Sequence, residues 1–147
     1  MSCRGFSRQS TQRKGKGLAH LILEYSVGLE EKVSVPKICE AGHQAMIGSG
    51  LFPLAGIRVR AYRADHAIIA DAHADNDFLA ITLNVGAGRS TADLRVAGDM
   101  IFAATQNLLS EVLNTPHFAL SLEIRVINPE LSWKDTPIHK RLTKPTN

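Results

Sequence analysis

The stretch LAITLNVGAGRS, residues 79–90, decides the fold of this chain. Its apolar residues alternate over 79–85, which predicts a strand with one buried face. Two glycines then allow a sharp turn, and Ser90 is a suitable N-cap for a following helix. Arg89 therefore stands where a strand ends and a helix begins, a place suited to a carboxylate or phosphate. An ordinary turn with a solvated arginine is the alternative interpretation.

The alternating pattern of this strand occurs three more times along the chain. The further strands are predicted at Ala19–Ser26, 57–66 and 118–126. Helical spacing of apolar residues predicts helices at 34–48 and 90–113, each with a serine at its N-cap position. The chain therefore contains the order strand–helix–strand twice.

Each strand–helix–strand segment indicates a right-handed βαβ unit. Two tandem units predict an α+β (α/β) fold, in which a four-stranded mixed sheet carries both helices on one face. The other face of such a sheet has to be buried, and oligomerisation is the simplest way to do so for a chain of 147 residues. We expect the oligomer contacts to cover that face and to include the segment around Trp133.

The formal net charge of +3 arises from the N-terminal segment. Residues 1–18 contain five basic and no acidic residues, whereas the rest of the chain contains 12 basic and 14 acidic residues. We interpret residues 1–18 as a disordered basic extension or a misassigned start, 19–140 as one domain and 141–147 as a polar tail. A nearly neutral domain argues against nucleic-acid binding.

Cysteine usage and hydropathy suggest the compartment. Cys3 and Cys39 suggest no disulfide framework, which favours a reducing compartment. The longest uncharged run, 41–57, is too short and too broken to span a membrane, and no secretory signal is recognisable. We therefore expect a cytoplasmic protein that binds neither membranes nor nucleic acid.

A polar loop before the third strand carries the one cluster of potential metal ligands. Its members are His66, Asp71, His73, Asp75 and Asp77. Their spacing matches no zinc signature, so a solvated acidic loop is the favoured interpretation, and no metal or cofactor is expected. His43 and His117 have no partner nearby in the sequence.

Three arginines remain as candidates for binding a substrate. Alternation puts Arg58 and Arg60 on one face of the second strand, and Arg89 precedes the second helix. An arginine among small apolar residues is unusual unless it meets an anion.

Four motifs containing these residues occur in order. They are GLFPLAGIR at 50–58, GAGRS at 86–90, LSLEI at 120–124 and NPELSWK at 128–134. These motifs resemble the 5-carboxymethyl-2-hydroxymuconate isomerases of the tautomerase superfamily, relatives of 4-oxalocrotonate tautomerase. The resemblance extends from about Ala19 to His139.

The resemblance implies a homotrimer and a cofactor-independent proton transfer. The implied substrate is a dienol dicarboxylate of the 5-carboxymethyl-2-hydroxymuconate type, from homoprotocatechuate or 4-hydroxyphenylacetate catabolism. Arg58 and Arg89 match family arginines that bind the carboxylate and oxo groups of the substrate. The resemblance also assigns His20 and Phe52 to substrate binding.

The chain departs from the family pattern at the catalytic base. The family begins Met-Pro-His and loses the methionine, so that the proline amine is the base. The matching tripeptide here is Leu18-Ala19-His20, and an internal Ala19 nitrogen is an amide with no basic lone pair. Leu18 stands in place of the initiator methionine, which suggests that the natural chain begins at position 18 and is then trimmed.

Three interpretations follow. The first is an isomerase that is active only when Ala19 is exposed, because an α-amine titrates near about pH 8 and neighbouring arginines would lower its pKa. The second is a catalytically inactive trimeric homologue that binds small carboxylates. The third, and least favoured, is a binder of nucleic acid or membrane surfaces acting through the basic extension.

Overall fold

Four strands form one sheet in the order β2-β1-β3-β4 in the computed structural model, which describes residues 17–143. The strands are β1 (Ala19–Ser26), β2 (Ile57–Ala64), β3 (Asp77–Gly86) and β4 (Phe118–Ile127). Strand β1 pairs parallel with β2 and antiparallel with β3, and β3 pairs parallel with β4. The predicted mixed sheet of two βαβ units is confirmed. Apart from Gly17 and Leu18, the predicted extension lies outside the described residues, as do residues 144–147 of the predicted tail.

The two long helices begin at the predicted serine caps. Helix α1 (Val35–Gly48) follows Ser34, whose side chain accepts from Lys37 N, and α2 (Thr91–Leu108) follows Ser90, whose side chain accepts from Asp93 N. These bonds satisfy backbone donors that a helix N-terminus leaves unpaired. Short elements complete the chain: α3 (Ser110–Leu113), α4 (Pro137–Thr143) and the 3-10 turns Val27–Glu31, Leu54–Gly56 and Pro129–Leu131.

One predicted helix is interrupted, and one predicted strand boundary is wrong. The helix expected over 90–113 is interrupted at Leu109, which leaves helical geometry with φ −104° and ψ 12°. Leu109 is fully buried and its N–H is shared between two carbonyl oxygens of the preceding turn, so the interruption is packed into the core. The second strand ends at Ala64 rather than at residue 66, because its partner β1 ends at Ser26, the residue paired with Ala64.

The hydrophobic core lies between the sheet and helices α1 and α2. Its fully buried side chains include Leu21, Leu23, Ile38, Met46, Leu79, Ile81, Leu83 and Ile101. Burying each large side chain contributes roughly 1.5–3 kcal/mol. Helix α1 approaches the sheet closely at Gly42, where an added Cβ would lie 2.6 Å from Leu21 Cδ2. Among the described residues, no helix has the length and apolarity to cross a membrane.

The opposite face of the sheet carries the alternate residues of each strand and is largely polar. Its residues include His20, Arg58, Arg60, Tyr62, Thr82, Asn84, Glu123 and Arg125. Large apolar side chains at the end of β4 and after it are exposed, with Val126 57%, Leu131 69% and Trp133 81% accessible, although Val126 lies on the helix-facing side of β4. The described helices leave this face open.

Candidate active site at the start of the first strand

Ala19 opens the central strand β1 between two neighbouring strands. It pairs with Ile57 on β2 and with Val85 on β3, and it is fully buried. The carbonyl oxygen of Leu18 accepts a hydrogen bond from Gly86 N at 3.0 Å, so the chain continues in the sheet before Ala19. The Ala19 nitrogen is therefore a backbone amide here and cannot accept a proton.

His20 and Arg58 form a pair on the open face of the sheet. They are register partners on β1 and β2, and Arg58 Nη1 lies 3.4 Å from His20 Nε2. Because a guanidinium only donates, His20 Nε2 is the acceptor and its proton belongs on Nδ1. Burial, followed by the positive charges of Arg58, Arg60 and Lys134, lowers the pKa of His20 below its ordinary 6.5. The imidazole is therefore neutral at neutral pH.

Arg89 and Phe52 form a second pair. Arg89 Nε donates to Leu51 O at 3.3 Å and Nη1 donates to Gly86 O at 3.1 Å. The guanidinium carbon lies 4.9 Å from the centre of the Phe52 ring, a cation–π contact. Burial lowers the pKa of Arg89, yet a guanidinium stays charged at neutral pH. The half-buried charge is thus held in place by the loop before β2 and the turn after β3.

The predicted site residues therefore fall into two pairs near Ala19. His20 and Arg58 are register partners on β1 and β2, and they directly follow the partners Ala19 and Ile57. The pair of Phe52 and Arg89 is connected through Gly86, which donates to Leu18 and accepts from Arg89. Guanidinium groups bind carboxylates through parallel N–H donors, so this end of the sheet suits an anionic ligand.

Lys134 was not predicted as a site residue. It follows the 3-10 turn Pro129–Leu131 and comes near enough to His20 for its charge to lower the histidine pKa. The lysine ends the motif NPELSWK, which was the only sequence signal that could have indicated it. Arg60, predicted on the same face as Arg58, adds to the same positive field.

Comparisons of the sequence with a protein-family model and with a known enzyme indicate the same family. The model of the family "5-carboxymethyl-2-hydroxymuconate isomerase" matches residues 19–142. A 5-carboxymethyl-2-hydroxymuconate Delta-isomerase from Escherichia coli is 32% identical over 122 residues, covering 83% of this chain and 97% of the relative.

Two crystal structures share the fold over most of the chain. A 5-carboxymethyl-2-hydroxymuconate delta-isomerase superposes with a TM-score of 0.82 at 28% identity, covering 90% of this chain and 98% of the other. A 5-carboxymethyl-2-hydroxymuconate isomerase from Deinococcus radiodurans R1 gives 0.81 at 30% identity, with 88% and 97% covered. By its family match, its identity to the Escherichia coli enzyme and its fold, the chain belongs to the 5-carboxymethyl-2-hydroxymuconate isomerase family.

Proposed function

We propose that this isomerase moves a proton on a dienol carboxylate of the 5-carboxymethyl-2-hydroxymuconate type, in the breakdown of aromatic compounds such as homoprotocatechuate. Two pairs of residues near the start of β1 carry the proposal, and each contains one arginine. They are His20 with Arg58 and Phe52 with Arg89. The reaction needs no metal or cofactor, because the proton leaves an oxygen of the substrate and returns to one of its carbons.

The arginines have different surroundings and we assign them different roles. Arg89 is fixed by two backbone carbonyls and by the Phe52 ring, so it is suited to holding a carboxylate in one position. Arg58 lies at the open face beside a neutral His20, and we assign it to the oxygen on which negative charge develops when the hydroxyl proton is removed. A cation placed there stabilises the transition state more than the bound substrate.

The general base in this proposal is the α-amine of Ala19. As an N-terminal amine it would titrate near about pH 8, and nearby arginines favour its neutral form, which lowers the pKa toward the working pH. While residues precede Ala19, its nitrogen is an amide and the site can bind but not catalyse. Activity therefore depends on a chain that begins at Ala19.

We also propose that the active form is a cytoplasmic homotrimer. The support is the uncovered sheet face, together with the exposed apolar side chains of Val126, Leu131 and Trp133 at the end of β4 and after it. Burying them against a neighbouring subunit is favourable at roughly 25 cal/mol per Å² of apolar surface. Light scattering at micromolar concentration should give the mass of three chains, and a monomer would contradict this arrangement.

The alternative is a catalytically inactive trimer that binds small carboxylates. It is favoured by one observation, the complete burial of Ala19 as an internal residue. The two functions are distinguished by mixing the form that begins at Ala19 with the dienol and following its ultraviolet absorption. Conversion to the conjugated ketone supports the isomerase, binding without conversion supports the alternative, and the absence of both contradicts the substrate assignment.

A further inference from the structure

A second cluster of polar side chains lies at the other end of the sheet. His73 and Asp75 belong to the loop between β2 and β3, and His117 directly precedes β4. Asp77 and Phe118 are register partners, which brings the two segments together. One potential ligand atom from each of the three side chains lies within 4.8 Å of the others, and the two imidazole rings stack with centroids 4.3 Å apart.

The sequence favoured a solvated acidic loop because the spacing of its residues matches no zinc signature, and His117 has no partner near it in the sequence. Three members of the predicted cluster, His66, Asp71 and Asp77, are not part of the group that the structure brings together. Asp77 is committed elsewhere, accepting from Ser26 Oγ and pairing with Lys32 Nζ, each at 2.6 Å. His66 lies outside the group, whereas His117 joins it. What remains is a site with two imidazoles and one carboxylate from two separate segments.

The proton of His117 is positioned by its neighbour Asn76. The Asn76 Nδ2 group donates to Ile69 O at 3.0 Å and to Asp71 Oδ1 at 2.8 Å, which fixes the orientation of the amide. Its Oδ1 then faces His117 Nδ1 at 3.0 Å and can only accept, so Nδ1 carries the proton. The lone pair is left on His117 Nε2. Metal-binding histidines commonly have this arrangement, with the second ring nitrogen donating to an oxygen.

The electrostatic field of the loop also favours a cation. Residues 65–77 contain four aspartates and no lysine or arginine. Lys32 reaches the loop, but its ammonium group donates hydrogen bonds to the Asp77 carboxylate and to the Asp75 carbonyl oxygen. The side chains of His73 and Asp75 are exposed, so a cation can enter from solvent.

We propose that His73, Asp75 and His117 bind one divalent transition-metal ion, with Zn²⁺ the best fit to two imidazoles and one carboxylate. Water would complete a tetrahedral site. Zinc–ligand distances near 2.1 Å put the ligand atoms about 3.4 Å apart, so the three side chains must approach one another and the two stacked rings must turn a nitrogen toward the ion. His73 Nδ1 accepts a hydrogen bond from Asp75 N at 3.1 Å. A neutral imidazole has only one unprotonated nitrogen, so metal binding through either nitrogen replaces this hydrogen bond.

Zinc at this site would act on the loop and not on the isomerase reaction. Strand β3 runs from Asp77 beside the cluster to Gly86 beside Arg89, and its 10 residues span about 30 Å. The ion would join the β2–β3 loop to the start of β4. The proposal is therefore independent of the substrate and of the catalytic base.

The test is a titration of the untagged full chain, freed of metal, with ZnCl₂ by calorimetry and thermal unfolding. We expect one Zn²⁺ per chain and a higher unfolding temperature. His73→Ala, Asp75→Ala and His117→Ala should each weaken zinc binding at least tenfold, and Asn76→Ala should weaken it by releasing the His117 ring. His66→Ala, an exposed histidine in the same loop, is the matched control and should bind like the parent.

Two results would overturn the site. One is the absence of zinc-dependent stabilisation in the parent chain. The other is undiminished binding in the exposed variants His73→Ala and Asp75→Ala, with their folding verified by circular dichroism, since zinc would then be held by other groups such as the cysteines.

Discussion

The carbonyl oxygen of Gly17 occupies the space that a Cβ atom on Gly56 would fill. Gly56 is buried and directly precedes β2, and Gly17 lies just before β1. The two backbones pass this closely only because residue 56 has no side chain. The residues that precede Ala19 therefore run against the start of the strand that carries Arg58.

Replacing Gly56 with alanine should affect the stability of two forms of the protein to different extents. In the full chain the new methyl group overlaps Gly17, and such overpacking should lower the free energy of unfolding by about 1–3 kcal/mol. In a chain that begins at Ala19 the obstructing residue is gone, so Gly56→Ala should cost little. Urea unfolding of both forms at one fixed protein concentration measures the difference.

Gly42→Ala provides the control for this comparison. Its Cβ would meet Leu21, which both forms contain, so any destabilisation should be equal in the two. If Gly56→Ala also destabilised both forms equally, the packing of Gly17 against Gly56 would not be the cause.

Arg58→Ala and Arg89→Ala should each weaken binding of an unreactive dicarboxylate analogue. Each removes a charge-assisted hydrogen bond worth roughly 1.5–3 kcal/mol, which is about 10- to 150-fold in affinity. Calorimetric titration measures the loss, and Arg95→Ala, an exposed arginine on α2, should leave affinity unchanged. Parental affinity in both variants would refute the assignment of the anion site.

His20 should make the folded protein sensitive to acid. Its pKa in the folded chain lies below the 6.5 of the unfolded chain, because burial and three cations disfavour the imidazolium. The unfolded chain therefore takes up the proton first, and stability present above pH 6.5 is lost as the pH falls below it. His20→Gln should reduce this loss between about pH 7.5 and about pH 5, the range in which an ordinary histidine titrates.

Urea midpoints at the two pH values test the prediction for His20. His66→Gln replaces an exposed histidine and should leave the acid sensitivity as it is in the parent. An unchanged loss of stability in His20→Gln would mean that another group accounts for it.

The features that were predicted correctly from sequence depend on residues that are close together along the chain. Alternation around Leu79 is local, and so is the cap at Ser90, which needs only the N–H of Asp93. The motif GAGRS placed Arg89 correctly between a strand and a helix. The placement of Arg58 and Arg60 on the same face of β2 was also predicted from alternation, because β2 has a regular register with β1.

The features missed from sequence are contacts between distant segments. His117 has no partner near it in sequence and meets His73 only because β4 pairs with β3. Lys134 reaches the field of His20 only after the chain turns back beyond β4. Helix α4 lies in a short polar segment without a long apolar stripe, so periodicity could not indicate it.

The chemistry of the Ala19 nitrogen should set the order of activity among three forms. The full chain has an amide at this position and should be nearly inactive. A chain that begins at Ala19 has a primary amine beside the arginines and should be weakly active, whereas Ala19→Pro in that form supplies the family's secondary amine and should be strongly active. Initial rates with the dienol measure the order, and intact mass must verify each N-terminus. Because an amide cannot accept the proton, a full chain with its extension intact that matched the trimmed forms would exclude an N-terminal base.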